Sequence, residues 1–141
     1  MTLVRQRARI ARVRRIQHDR AALAAAKAAG HVRALESNDE RLGTMRRNLA
    51  AEPGLTTGAA LASRGELAMR LEAAREGLGL SINGARAAAH LREQARLGAR
   101  RDQESAEKLQ DRAAAAAARE EDRRIAAGFR PRPKPRMETP Q

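Results

Sequence analysis

Glu52-Pro53-Gly54-Leu55-Thr56-Thr57-Gly58 is the one concentrated break signal ahead of the C-terminal tail, and Pro53 is the only proline before Pro131. Proline lacks an amide donor and clashes with the preceding helical turn, while glycine relaxes the backbone, so the segment reads as a turn. Alanine, arginine and glutamate dominate on both sides of it. The chain is therefore expected to be all-α: a helix over about 3–51, a turn at 52–58 and a second helix over about 59–127. Together these make a long antiparallel two-helix coiled-coil hairpin over 1–128. Residues 129–141, which include Phe129-Arg130-Pro131-Arg132-Pro133-Lys134-Pro135-Arg136, read as an extended, flexible basic tail.

The stripes that would join the helices follow a 3,4 spacing. On the first helix they run through Leu35, Leu42, Met45 and Leu49, with Asn38 in the same phase and Val13, Ile16 and Leu23 one residue out of it. On the second they run through Leu67, Leu71, Ala74, Leu78, Ser81, Ala85 and Ala88 and on to Leu109, leaving Leu80, Ile82, Leu91 and Leu97 off the stripe. Ser63-Arg64-Gly65-Glu66 has the form of a capping box. Glu66 with Arg70, Glu104 with Lys108 and Glu120 with Arg124 have the favourable i to i+4 orientation, worth about 0.2 to 0.5 kcal/mol each. Gly77, Gly79 and Asn83-Gly84 weaken the centre of the second helix, where a kink is expected, with a full break into three helices as the secondary architecture. A turn near 55–58 sets residue 3 beside a residue near 110, so the second helix overhangs from about Arg112.

Composition narrows the function. Phe129 is the single aromatic among 141 residues, and there is no cysteine. Disulfides and thiolate metal sites are excluded, and much of the apolar content is alanine, which buries little surface. Such a chain is expected to be a monomer, or weakly self-associating, and to gain order from partners. No apolar run approaches the roughly 20 residues that cross a bilayer. The net charge is +12, with seven arginines against Asp19 in residues 1–20. Folding back at Pro53 brings this segment and the basic tail to one end, suited to an acidic protein, a nucleic acid or an anionic membrane.

Catalytic chemistry is not written here. His18, His31 and His90 lack ligand spacing, and Gly77-Leu78-Gly79 has neither a strand before it nor Lys-Ser or Lys-Thr after it. The four serines stand in no nucleophile-elbow context. Glu120-Glu121-Asp122 is followed at once by Arg123-Arg124, a self-compensated helix face. A non-enzymatic protein without catalytic, metal or cofactor residues is expected. A basic helical nucleic-acid binder is the alternative from another class, although no aromatic residues interleave the charges to stack bases.

The layout of a long first helix, a Gly- and Thr-containing tip, a longer second helix and a basic tail resembles the flagellar export protein FliJ family. So do Leu67-x-x-x-Leu71-Glu72-x-Ala74 and, later, Leu109-Gln110-Asp111-Arg112 followed by an alanine-rich stretch ending near Phe129. The resemblance implies a stalk and escort of the flagellar type III protein export apparatus, at the cytoplasmic face of the inner membrane. It implies binding to and stimulation of the export ATPase FliI, and contacts with the export gate FlhA and with export chaperones. The YscO-like stalk of virulence type III secretion is the nearest alternative to that reading. The ATPase contact would fall on Arg5, Arg7, Arg9, Arg12, Arg14, Arg15, Arg119, Arg123 and Arg124, and the gate contact on Leu67, Leu71, Ala74 and Leu78.

Overall fold

The computed structural model describes residues 2–50 and 54–129. Within them α1 spans Thr2–Ala50 and α2 spans Gly58–Gly128, and the described residues contain no strand. The protein is an all-α two-helix hairpin whose helix ends fall within a residue or so of those expected. Glu52 and Pro53, and the tail from Arg130 onward, lie outside the described residues.

The start of α2 differs from the sequence expectation. Thr57 caps it: the Ala60 amide donates to Thr57 Oγ1 at 3.2 Å, and the Leu61 amide donates to the Thr57 carbonyl at 3.1 Å. Ser63 and Glu66 therefore sit inside the helix, and the capping box does not operate. Glu66 is instead held to Arg70 Nη2 at 2.6 Å, the i to i+4 pair expected. The helix is also unbroken through 77–84, and none of its glycines takes a positive φ, so the three-helix alternative is not adopted. At the far end the Phe129 amide is shared between the carbonyls of Ile125 and Ala126, at 3.2 and 3.3 Å.

The chain divides into two compact units, one of residues 16–101 and one that joins the start of α1 to α2 from Asp102 onward. In the 16–101 unit, Ala25 and Gly43 of α1 and Leu71 and Ile82 of α2 are buried. Three cross-helix ion pairs fix the antiparallel sense. Arg75 Nε and Nη2 reach Asp39 Oδ1 and Oδ2 at 3.1 and 3.4 Å, Arg86 Nη2 reaches Glu36 Oε1 at 2.6 Å, and Arg46 Nε lies 3.1 Å from Glu72 Oε2. A Cβ at Gly43 would come within 3.4 Å of the Arg75 Cζ, so the glycine leaves the guanidinium room to lie across α1.

This arrangement corrects the phase of the stripes. Leu71, Leu78 and Ala85 hold their expected stations, but between them Ala68, Arg75, Ile82 and Ala89 face the seam where Leu67, Ala74, Ser81 and Ala88 were expected. Ile82, read as off the stripe, is only 7% exposed. On α1, Asp39 and Val32 are half-buried while Asn38 and Met45 are exposed. The reason is electrostatic: a charged residue at a seam station disguises it, and here Arg75 is matched by Asp39 across the helices.

In the other unit the seam is alanine. Ala11 and Ala106 are buried, Val4, Ala8, Ala113 and Ala117 are half-buried, and Leu109, expected in the stripe, is exposed. Every residue from Ala118 to Phe129 is exposed. Ala113 and Ala117 lie beyond the expected Arg112 and are still half-buried, so the fully exposed end of α2 begins later than expected.

Candidate partner-binding surface

Six arginines and no acid occupy residues 2–15. A helix displays such a run all round its surface, so some of the charges must meet α2. Arg14 Nη1 lies 3.3 Å from Asp102 Oδ2, and Arg15 Nη2 lies 2.9 Å from Glu107 Oε1. Glu107 also accepts from Gln103 Nε2 at 3.0 Å. That hydrogen bond, followed by the one from Arg15, holds the Glu107 carboxyl below its ordinary pKa.

Arg5, Arg7, Arg9 and Arg12 form no ion pair with any described residue. Arg5, Arg9 and Arg12 are exposed; Arg7 is half-buried in a shallow recess of about 190 Å³ that it shares with Ile10, Arg14 and Leu109. Guanidinium groups left in this state are planar five-donor forks, suited to carboxylates or phosphates. Arg119, Arg123 and Arg124 belong to the same unit but stand on the unpaired turns beyond Ala117. There Arg123 and Arg124 share Glu120 at 3.9 and 3.6 Å. Arg119 forms no ion pair with any described residue, so the nine arginines singled out in the sequence separate into five uncompensated, two cross-paired and two locally compensated.

The apolar strip Leu67, Leu71, Ala74 and Leu78 is divided by the packing. Leu71 is buried and Leu78 half-buried in the hairpin seam, whereas Leu67 is 46% exposed and Ala74 is open. Only Leu67 and Ala74 of this set are open to a partner while the seam is closed.

One surface escaped the sequence reading. On the side of α2 away from the seam, positions 73, 77, 80, 84, 87, 91, 94 and 98, together with 74, 81, 88 and 95, carry no charged residue. All twelve are exposed except Gly98, which is half-buried. The signal was present in Leu80 and Leu91, which were read only as residues off the stripe. A second period on the opposite face was the sign to look for.

Among the described residues no His, Asp and Glu side chains gather in a group of three able to hold a metal, and no helix is long and apolar enough to cross a membrane. The chain matches no protein-family model, no curated protein and no solved structure at a significant level.

Proposed function

We propose that this protein is a non-enzymatic stalk and escort of the bacterial flagellar type III export apparatus, working through protein contacts of its basic α1 start. The observation that carries the reading is the set of four arginines, Arg5, Arg7, Arg9 and Arg12, without ion-pair partners among the described residues on a helix already packed against α2. A rigid helix edge with spare positive charge suits the acidic lumen of a ring-shaped ATPase, where long-range attraction speeds docking. The two-helix hairpin supports the same reading, because a stalk needs stiffness rather than a pocket. Export gate and chaperone contacts would fall on the early part of α2, at Leu67 and Ala74, and the working position would be the cytoplasmic face of the inner membrane.

The test is to titrate the protein into the purified export ATPase. Hydrolysis and ring assembly should rise, and replacing Arg5, Arg9 and Arg12 by Glu should abolish the rise while leaving helicity by circular dichroism unchanged. No stimulation at saturating protein sinks the proposal. Tight binding to duplex DNA at about 0.15 M salt, with a salt dependence of several released counterions, would replace it with nucleic-acid binding.

A further inference from the structure

The uncharged face of α2 lies wholly within the 16–101 unit and has a pattern of its own. A third of the chain's residues are charged, yet the eight stations 73, 77, 80, 84, 87, 91, 94 and 98 here are all neutral. Leu80 and Leu91, on this face, are 77% and 66% exposed. In the same unit, α1 presents Arg20, Lys27, Arg33 and Arg41 to solvent. A surface helix normally sets polar residues opposite its seam, so a second apolar stripe at coiled-coil spacing marks a second helix contact.

The order of sizes along the stripe names the occupant. From a point between Ala85 and Arg86, small residues come first in both directions, Gly84 one way and Ala87 the other. Leu80 and Leu91 follow, and Ala73 and Gly98 stand furthest out. Three of the four mirror pairs of the stripe match in bulk, and Gly77 against Gln94 is the one that does not. A two-fold interface requires a patch that is complementary to itself, and a palindromic helix face meets that requirement when the helices run antiparallel. Antiparallel packing also opposes the helix dipoles favourably. Neutrality points the same way, because a chain of net charge +12 meets its own copy with least repulsion where the charges are missing.

We propose that this face is a homodimer contact, in which α2 packs antiparallel on α2 of a second copy with Leu80 against the second copy's Leu91 and a close-packed Gly84 and Ala87 layer at the centre. The stripe covers 26 residues, about 39 Å of helix at 1.5 Å per residue. With a width of about 10 Å, the two faces together bury on the order of 800 Å², below the size of standard stable interfaces. The dimer is therefore a weak one, forming at micromolar concentration.

Sedimentation equilibrium of the full chain between about 1 and 100 µM should show a reversible monomer–dimer system. Leu80→Glu with Leu91→Glu should weaken it at least about 10-fold, since four carboxylates would then face apolar surface. Helicity should not change, because both leucines are exposed in the hairpin. The chain has no cysteine, so mixing a Leu80→Cys chain with a Leu91→Cys chain should yield the mixed disulfide in preference to either symmetric one. A native chain that stays monomeric to 100 µM, or a double-Glu variant that dimerises like the native one, would overturn the proposal. Preferential 80-to-80 disulfides would overturn it as well. Capture of some other protein by this face, with the purified chain monomeric, would count against it equally.

Discussion

The two compact units use the same two helices to different ends. In the 16–101 unit the seam contains Leu71 and Ile82, and three arginine–carboxylate pairs tie α1 to α2. In the unit built from residues 2–15 and α2 beyond Arg101, the buried residues are alanines, and two arginines make the cross-helix pairs. Burying a branched side chain contributes roughly 1.5 to 3 kcal/mol, several times what an alanine methyl contributes. Stability should therefore concentrate in residues 16–101, while the arginine-rich start of α1 is held more lightly. The lesson is a division of labour: one unit supplies the fold, and the other keeps charge available at little cost in packing.

The comparison breaks most sharply at Ile82. Ile82→Ala removes a side chain that is almost fully covered and should destabilise the protein by about 2 to 3 kcal/mol, read from the urea midpoint by circular dichroism. Leu109→Ala, in the alanine-lined unit, removes a side chain of the same size from a site that is 40% exposed and should cost less than about 1 kcal/mol. Equal losses at the two positions would refute the unequal distribution of stability.

Why Ile82 was missed shows how much of this molecule its sequence reveals. The hairpin was legible because Pro53 stands alone and because helix formers fill both flanks. Helix ends were legible for the same reason, apart from the cap, where Thr57 acts and the better-formed Ser63 motif does not. The phase was not legible. Alanine satisfies any stripe, so the deciding residues were the polar ones, and a lone sequence does not tell that Asp39 will meet Arg75. Cross-helix pairing of this kind depends on register, which is a property of the folded pair. The arginine cluster was visible as a run, but its sorting into paired and unpaired members required α2 to be in place.

A smaller effect separates strain from softness in the 16–101 unit. Gly65 and Gly79 are helical, have ordinary φ, and have no atom within 4 Å of an added Cβ. Gly65→Ala and Gly79→Ala should each stabilise by about 0.5 to 1 kcal/mol through reduced backbone entropy of the unfolded chain. Both lie outside the uncharged face, so the monomer–dimer equilibrium should not move with them. A loss of stability at either position would mean that the helix needs its glycines for bending.

The smallest effect belongs to the lightly held unit and reports on it alone. Glu107 accepts hydrogen bonds from Gln103 and Arg15, and its carboxyl is held below the ordinary range, Gln103 contributing most. A group whose pKa is lower in the folded state stabilises that state above its unfolded pKa, about 4.3 for Glu, and loses the contribution as pH falls through the folded value. Acidification below about pH 4 should therefore loosen the Arg15 contact and lower the amide protection factors, which compare exchange with that of the unfolded chain at the same pH, in residues 8–15. Glu107→Gln should remove the Glu107 share of that step, leaving the smaller one that Asp102 contributes through Arg14. Glu93, lowered by its hydrogen bond to Arg96 in the other unit, supplies the contrast. Its pairing is within α2 rather than across the seam, so its protonation should leave protection in residues 8–15 unaltered. A Glu107→Gln protein that keeps the full acid step in that segment would show that some other carboxylate holds the arginine-rich start of α1 in place.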